Sequence, residues 1–196
     1  KIVAIGKIEE DSIETIDAKG KIVTPGFVDI HTHYDGQVTW DPYLRPSTYH
    51  GVTTVVMGNC GVGFSPCKPD QRDWLIGLME GVEDIPGTAL HEGIDWEWES
   101  FPEYLDALEK KPLAIDVGTQ IPHGAVRAYV MGERGINHEE ASEDEITKMK
   151  EIVREAVEAG AYGFSTSRTE KHNDVNGKLT PSITAHKTEL VEIAKS

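Results

Sequence analysis

Cysteines, basic residues and long apolar runs are scarce in this sequence, and each shortage excludes a class of protein. Two cysteines in 196 residues are too few for the disulfide framework of a small secreted domain. No segment approaches the roughly 20 consecutive apolar residues that a transmembrane helix requires. Nineteen lysines and arginines against 34 acidic residues give a formal charge of −15, which would repel the phosphate backbone of nucleic acids. We therefore expect neither a membrane nor a nucleic acid as partner.

The chain does have the size and the apolar content of one globular domain, with 196 residues of which 38% are hydrophobic. Its first residues, KIVAIGKIEE, lack the apolar block and the small-residue cleavage site of a secretory signal. We therefore expect a soluble, cytoplasmic protein. The sequence opens inside a strand-like pattern and closes inside a helix-like one, so we interpret it as a piece of a longer protein.

The pattern of apolar residues changes at Pro25. Before it, apolar and polar positions alternate around glycine turns, which predicts short strands within residues 1–24. After it, short runs that are apolar on both faces alternate with helix-forming sequence. This is the pattern of strands buried in a parallel sheet and joined by helical crossovers, an α/β fold. The predicted strands are 27–30, 52–57, 113–117 and 161–164.

Three helices are predicted from their end signals and their periodicity. The segments 100–111 and 142–160 each begin with a serine three residues before a glutamate, which is the spacing of a capping box. A third helix is expected from about Ala185 to the end of the sequence. Residues 83–100, which are rich in tryptophan, glycine and acidic residues, are predicted to form a long loop.

Two histidines, His31 and His33, follow the first predicted strand. Side chains at positions i and i+2 of an extended strand point to the same side, so both imidazoles would project together from its carboxyl end. In α/β barrels the active sites are built at that end of the strands. Two imidazoles so placed are able to share one metal cation. The alternative is a pair of ordinary polar residues where a strand ends.

Cys60 lies just beyond the second predicted strand, in a glycine-rich turn at the same end of the sheet. A thiolate there would be a strong ligand for Zn²⁺, and the cation would keep it deprotonated. The alternative for Cys60 is a small buried apolar residue. The other cysteine, Cys67, stands between a proline and a lysine without such a context, and we predict that it is structural.

Four stretches of the sequence resemble a known family. GKIVTPGFVDIHTHYD, residues 20–35, resembles the segment that leads from the small β-sandwich of amidohydrolase-superfamily enzymes into the first strand of their barrel. VVMGNCGVGFSP, HGAVRAYVMG and REAVEAGAYGFSTSRT resemble the N-acyl-D-amino-acid deacylase (D-aminoacylase) branch in particular. The resemblance implies that residues 1–24 are part of a small β-sandwich domain. It further implies that residues 25–196 form the N-terminal half, about four β/α units, of a (β/α)8 TIM-like barrel.

The same resemblance implies a metal site and a reaction. Cys60 matches the cysteine that bridges the metals in this branch, and His31 and His33 match the paired histidines of the first strand. One or two Zn²⁺ ions are implied for the whole enzyme, with a small-molecule N-acyl-D-amino acid hydrolysed to a carboxylate and a D-amino acid. Two further histidines and the catalytic aspartate are implied beyond Ser196, so we assign no catalytic residue here and expect this piece alone to be inactive.

Two alternatives to this function stay open at this point. A cyclic-amide amidohydrolase of the dihydroorotase or hydantoinase kind would share the paired histidines, although Cys60 argues against it. A non-catalytic amidohydrolase-like scaffold would usually have lost metal ligands, whereas His31, His33 and Cys60 are retained. In each case half a barrel exposes sheet edges and an apolar face, so we expect the chain to self-associate.

Several other polar residues lie near the carboxyl ends of predicted strands. Asp35 either orients a ligand histidine or is a turn residue. In one interpretation His123 and Arg127 face the site. In the simpler one His123 is a turn residue and Arg127 lies on the surface of a helix. No Ser–His–Asp pattern accompanies the residues after the fourth strand, so we propose no nucleophile among Ser165, Ser167 and Arg168. Four histidines in polar segments are predicted to be solvated: His91, His138, His172 and His186.

Overall fold

A computed structural model describes residues 2–196, and in it strands and helices alternate from residue 27 onward. The strands are β1 (Phe27–Asp29), β2 (Val52–Met57), β3 (Asp116–Thr119), β4 (Ile121–Pro122) and β5 (Phe164–Ser165). The α-helices are α1 (Arg72–Glu83), α2 (Gly87–Gly93), α3 (Phe101–Glu109), α4 (His123–Met131), α5 (Glu133–Ile136), α6 (Glu143–Ala159) and α7 (Lys187–Ile193). The predicted α/β alternation is therefore confirmed.

The hydrogen-bonded neighbours among these five strands all run parallel to each other. β2 lies between β1 and β3, and β4 pairs with β5. Val55 of β2 stands opposite Asp29 on one side and Val117 on the other, and its side chain is fully buried. Because neighbouring strands run in the same direction, the carboxyl ends of β1, β2 and β3 lie along one edge of the sheet.

The third and fourth strands begin later than the sequence predicts. β3 starts at Asp116 rather than at residue 113, because the Ala114 N–H donates to the Pro42 carbonyl at 2.8 Å instead of pairing with β2. β5 is limited to two residues, although the Tyr162 N–H already donates to the Thr119 carbonyl at 2.8 Å. The first residues of both predicted strands therefore lie beside the sheet but are not part of its paired strands.

The helix ends follow the sequence signals. Ser100 Oγ accepts a hydrogen bond from the Glu103 N–H at the start of α3, and Ser142 Oγ accepts one from the Glu145 N–H at the start of α6. Gly160, with a φ of +123°, ends α6 in a conformation that favours glycine. The predicted C-terminal helix is present as α7. Among residues 2–196, no helix combines the length and the apolar character needed to cross a membrane.

Of the seven α-helices, the sequence-based prediction misses α1, α2, α4 and α5, and the first two show why. α1 buries four apolar side chains, but two glycines interrupt their periodicity; the four are Leu75, Ile76, Leu78 and Met79. α2 lies inside residues 83–100, so the prediction of an unbroken loop there was wrong. That helix buries Leu90 and a glycine, which leaves too little apolar periodicity to indicate a helix.

The short strands predicted before Pro25 are not present in residues 2–24, and Lys1 lies outside the described residues. Apolar side chains in this segment are exposed: Ile2 by 78% and Ile22 by 90%. Short strands are stable only when their apolar face packs against further structure, and of the apolar side chains in residues 2–24 only that of Ala18 is partly buried. The prediction of strands was therefore wrong for this chain taken alone.

Two glycines of α1 face the loop formed by residues 170–180 (the 170–180 loop), and the structure predicts opposite effects for their replacement. A Cβ at Gly81 would lie 2.3 Å from the carbonyl oxygen of Asn173, whereas one at Gly77 would meet Val175 Cγ2 at 3.4 Å. Helix propensity favours alanine at both positions by about 1 kcal/mol. We expect G77A to be neutral or stabilising, and G81A to lower the free energy of unfolding by about 1–3 kcal/mol because the loop backbone must move.

Urea denaturation of both variants checks this prediction, with G77A as the matched control on the same helix. An equal gain in stability from both substitutions would show that the loop does not pack against α1 as described.

Candidate metal site

The two histidines after β1 lie on one side of the chain because the residue between them is anchored to β2. The Thr32 N–H and its Oγ1 both donate to the Val56 carbonyl, at 3.0 and 2.8 Å. Thr32 is buried, whereas His33 is half-buried and His31 is exposed. The centroids of the two imidazole rings are 5.4 Å apart. The i, i+2 arrangement predicted from the sequence is therefore present.

Cys60 reaches the same place through a sharp turn after β2. Gly58 and Cys60 both have left-handed backbone conformations, with φ of +70° and +57°. A Cβ at Gly58 would lie 1.9 Å from the Gln120 carbonyl oxygen, so only glycine fits there. The Asn59 side chain donates to the carbonyls of Thr32 and Val56, at 3.2 and 2.9 Å, and ties the turn to β1.

The turn brings the Cys60 sulfur against the first histidine. Cys60 Sγ lies 3.2 Å from His31 Nε2, and one donor atom from each of His31, His33 and Cys60 lies within 4.8 Å of the others. Ligands on a tetrahedral Zn²⁺, at bond lengths of roughly 2.0–2.3 Å, stand about 3.4–3.6 Å apart. A set of two imidazoles and a thiol therefore fits a borderline-soft divalent cation.

The electrostatics of the three side chains bear on cation binding. Burial, together with the neighbouring His31 and His172, lowers the pKa of His33 to about 4, so its imidazole is neutral at physiological pH. Burial also raises the pKa of the Cys60 thiol, with further contributions from Glu83 and Asp35. The thiol is therefore protonated until a cation displaces its proton, which makes metal binding depend on pH.

Asp35 holds the turn that carries Cys60. Its Oδ1 accepts a hydrogen bond from the Gly58 N–H at 2.8 Å, and its backbone carbonyl accepts one from the Tyr104 hydroxyl at 2.9 Å. Burial raises the pKa of this carboxyl to about 7. Its Oδ2 has no hydrogen-bond partner among the described residues, so no bond joins it to either histidine. Asp35 is a turn residue, as one of the two alternatives has it, and it is buried there, where its carboxylate supports the Cys60 turn.

Two residues that the sequence analysis did not assign to the site lie beside it. Glu83 ends α1, and its Oε1 is 3.5 Å from His33 Nε2. Burial raises the pKa of the Glu83 carboxyl to about 7. His172, in the 170–180 loop, is half-buried with its Nδ1 enclosed and unpartnered, and its pKa is lowered by burial and by His31. The prediction that His172 is solvated was therefore wrong.

The other three histidines predicted to be solvated differ among themselves. His91 and His186 are exposed, as predicted. His138 is half-buried, and its Nε2 lies 2.9 Å from the Leu179 carbonyl oxygen. The ordered 170–180 loop, whose Asn173 and Leu179 pair as a β-bridge, accounts for the burial of both His138 and His172.

His123 and Arg127 belong to a separate buried network. The exposed fractions of their side chains are 0% and 1%, so the interpretation as a turn histidine and a helix-surface arginine was wrong. His123 Nε2 lies 2.7 Å from Glu189 Oε1, and the Arg127 guanidinium pairs with the other oxygen of Glu189. Burial raises the pKa of Glu189, but the hydrogen bonds from His123 and Arg127 outweigh it and hold the pKa below its usual range. Because Glu189 belongs to α7, its contacts with His123 and Arg127 tie α7 to α4.

The polar residues at and beyond the end of β5 also have structural contacts. Ser165 Oγ accepts from the Gly61 N–H at 3.0 Å and donates to the Gly58 carbonyl, so it supports the Cys60 turn. The Arg168 guanidinium donates to the Ala185 carbonyl, and the Ser167 carbonyl accepts from Ser182 Oγ. These contacts hold the Cys60 turn and the segment before α7 in place.

Cys67 is fully buried, and burial raises the pKa of its thiol to about 12. That environment agrees with the structural interpretation. It also makes Cys67 a matched control for substitutions at Cys60.

Two histidines and a cysteine lie beyond the carboxyl ends of neighbouring parallel strands. The protein therefore belongs to the class of α/β proteins with a candidate metal site at that end of the sheet. The particular family follows from comparison with known proteins. The sequence model of the amidohydrolase family matches residues 14–194, so the chain belongs to that family.

Known relatives match the chain over most of its length. It is 38% identical over 168 residues to an uncharacterised protein of Mycobacterium tuberculosis (strain ATCC 25618 / H37Rv), covering 83% of this chain and 27% of the relative. It is 32% identical over 196 residues to the D-aminoacylase of Alcaligenes xylosoxydans xylosoxydans, covering 100% of this chain and 36% of the relative. The chain thus spans about a third of the length of these curated relatives.

A solved structure supports the fold. The chain superposes on the N-acyl-D-glutamate deacylase of Bordetella bronchiseptica, complexed with zinc and a phosphonate inhibitor, with a TM-score of 0.68 and 31% sequence identity. The match covers 91% of this chain and 33% of that structure. The chain therefore has an α/β fold that resembles part of a deacylase.

Proposed function

We propose that this chain carries the first part of the metal site of a zinc-dependent amidohydrolase that hydrolyses N-acyl-D-amino acids. The observation that carries the proposal is the convergence of donor atoms from His31, His33 and Cys60 within 4.8 Å. Its support from known proteins is the similarity to a D-aminoacylase and to an N-acyl-D-glutamate deacylase solved with zinc.

The residues of this chain have distinct tasks in that reaction. His31, His33 and Cys60 would hold the cation, which when bound would polarise the amide carbonyl and supply hydroxide near neutral pH. Asp35, Asn59 and Gly58 keep the cysteine turned toward the histidines, through the hydrogen bonds described above. We assign no proton-transfer residue within residues 2–196, since the resemblance implies a catalytic aspartate further along the sequence.

The fold of this piece suggests its place in the whole enzyme. In our proposal β1, β2, the β3–β4 segment and β5 are the first four strands of a (β/α)8 barrel, and residues 1–24 belong to a small β-sandwich. Apolar side chains on β1 support an incomplete sheet, because Phe27 and Val28 are 62% and 59% exposed. We propose that the chain alone self-associates through this face. A cytoplasmic location remains a prediction from the sequence.

Hydrolysis assays test the proposed function. The longest natural chain that contains these residues is expected to release free amino acid from N-acetyl-D-amino acids, to spare the L-enantiomers, and to lose activity on chelation and regain it with Zn²⁺. The 196-residue chain alone is expected to turn over nothing. Hydrolysis of cyclic amides without any action on N-acyl-D-amino acids would contradict the proposed substrate class, and activity that survives exhaustive chelation would contradict the metal.

A further inference from the structure

Glu83 reaches the candidate metal site from an element that is distant in sequence. It is the last residue of α1, and its carboxylate approaches the cluster from the side of His33, with 3.5 Å between Glu83 Oε1 and His33 Nε2. The Glu83 side chain is only 24% exposed. Among residues 2–196, the basic side chain within 4.0 Å of its carboxylate is the neutral imidazole of His33, so no lysine or arginine accounts for its partial burial.

The distance between Glu83 and His33 fits two ligands of one cation better than a hydrogen bond. An N–H···O bond normally joins atoms 2.7–3.2 Å apart, and the separation here is 3.5 Å. A carboxylate oxygen and an imidazole nitrogen on a tetrahedral Zn²⁺, each roughly 2.0–2.2 Å from the metal, stand about 3.4 Å apart. The gap leaves room for a cation between these two atoms. Glu83 is not among the residues whose donor atoms all lie within 4.8 Å of one another, so ligation requires its side chain to turn toward His31 and Cys60.

The position of Glu83 is fixed by packing. The Val175 N–H donates to the Gly77 carbonyl at 3.1 Å, and Gly81 stands against the backbone of the 170–180 loop. Asp84, in a left-handed conformation, ends the helix with its N–H donating to the Glu80 carbonyl at 3.1 Å. A half-buried carboxylate without a cationic partner carries a desolvation cost, which a bound cation would offset.

We propose that Glu83 is a further protein donor of the cation site, binding through one carboxylate oxygen beside His33. This inference rests on the proposed function, because it assumes that His31, His33 and Cys60 hold a divalent cation. It adds an oxygen donor to a set of two nitrogens and one sulfur. In this proposal α1 and the 170–180 loop position the Glu83 carboxylate beside His33.

Zn²⁺ affinity measured on the 196-residue chain, by competition with a chromophoric chelator, tests the inference. We expect E83Q to weaken binding by at least about 10-fold, because loss of even a hydrogen-bond partner of a metal ligand typically costs about 10–100-fold in affinity. Glutamine keeps the size of the side chain and removes the anionic donor. E80Q, which makes the same change one turn earlier on α1, is expected to stay within about two-fold of the wild type. Substitution with Co²⁺ gives a second readout, because loss of a donor alters the visible absorption of the bound ion.

The outcomes separate this inference from the proposed function. If C60S loses Zn²⁺ binding while E83Q keeps wild-type affinity and the wild-type Co²⁺ spectrum, Glu83 is not a donor and only the inference is overturned. If the wild-type chain does not bind Zn²⁺, or if C60S binds it as well as the wild type, the proposed metal site fails and the inference fails with it. Thermal unfolding of metal-free E83Q, expected to match that of E80Q, shows that the loss of affinity does not reflect misfolding.

Discussion

Replacement of Cys60 by serine is expected to lower the Zn²⁺ affinity of the chain by on the order of 100-fold or more. A serine hydroxyl is a poor substitute for a thiolate, and the remaining histidines would bind the cation through two nitrogens. The backbone should tolerate the change, since serine is close to cysteine in size. Competition titration at fixed pH measures the effect, and the longest natural chain should lose deacylation in parallel.

C67A is the control for this prediction. Cys67 is fully buried in the hydrophobic core and is not part of the donor cluster, so it does not compete for the cation. Its removal is expected to reduce stability slightly and to leave the affinity for Zn²⁺ unchanged. Equal Zn²⁺ affinity in C60S and in the wild type would show that Cys60 does not bind the cation, and only the paired histidines would remain as donors.

Replacement of Glu189 by alanine is expected to destabilise the fold by about 3–5 kcal/mol, the typical cost of breaking a buried ion pair from one side. Glu189 is 1% exposed and accepts from both Arg127 and His123, so its loss leaves a buried guanidinium uncompensated. Urea denaturation measures the change. The double substitution R127M/E189L removes both charges and is expected to cost less than E189A alone.

E192A, one turn away on the same helix, is the matched control. Glu192 pairs with Lys150 and Lys195 at the surface, and water and salt screen such pairs, so little measurable change is expected. If E189A and E192A were equally mild, α7 would not be held by a buried ion pair, and the burial of His123 and Arg127 would need another cause.

The sequence predicts the candidate donors because local backbone geometry places them. His31 and His33 share a side by the two-residue repeat of an extended chain, and Cys60 follows the neighbouring parallel strand. Those rules act over a few residues and need no knowledge of packing. The predicted helix starts hold for the same reason, since each capping box lies within four residues.

The surroundings of the site could not be predicted in this way. Glu83 and His172 reach it only because the 170–180 loop packs on α1, a helix whose periodicity two glycines conceal. Arg127 is buried because Glu189, 62 residues away in sequence, neutralises it. Such contacts depend on tertiary packing, which overrides the surface preference of charged residues. The strands predicted within residues 1–24 fail for a related reason, as their stability depends on neighbours that this chain does not place beside them.

X-ray absorption at the zinc edge of the zinc-loaded chain identifies the donor atoms themselves. We expect one sulfur at about 2.3 Å and imidazole nitrogens at about 2.0–2.1 Å, with the sulfur lost in C60S. A zinc environment made of nitrogen and oxygen alone in the wild-type chain would contradict the proposed metal site.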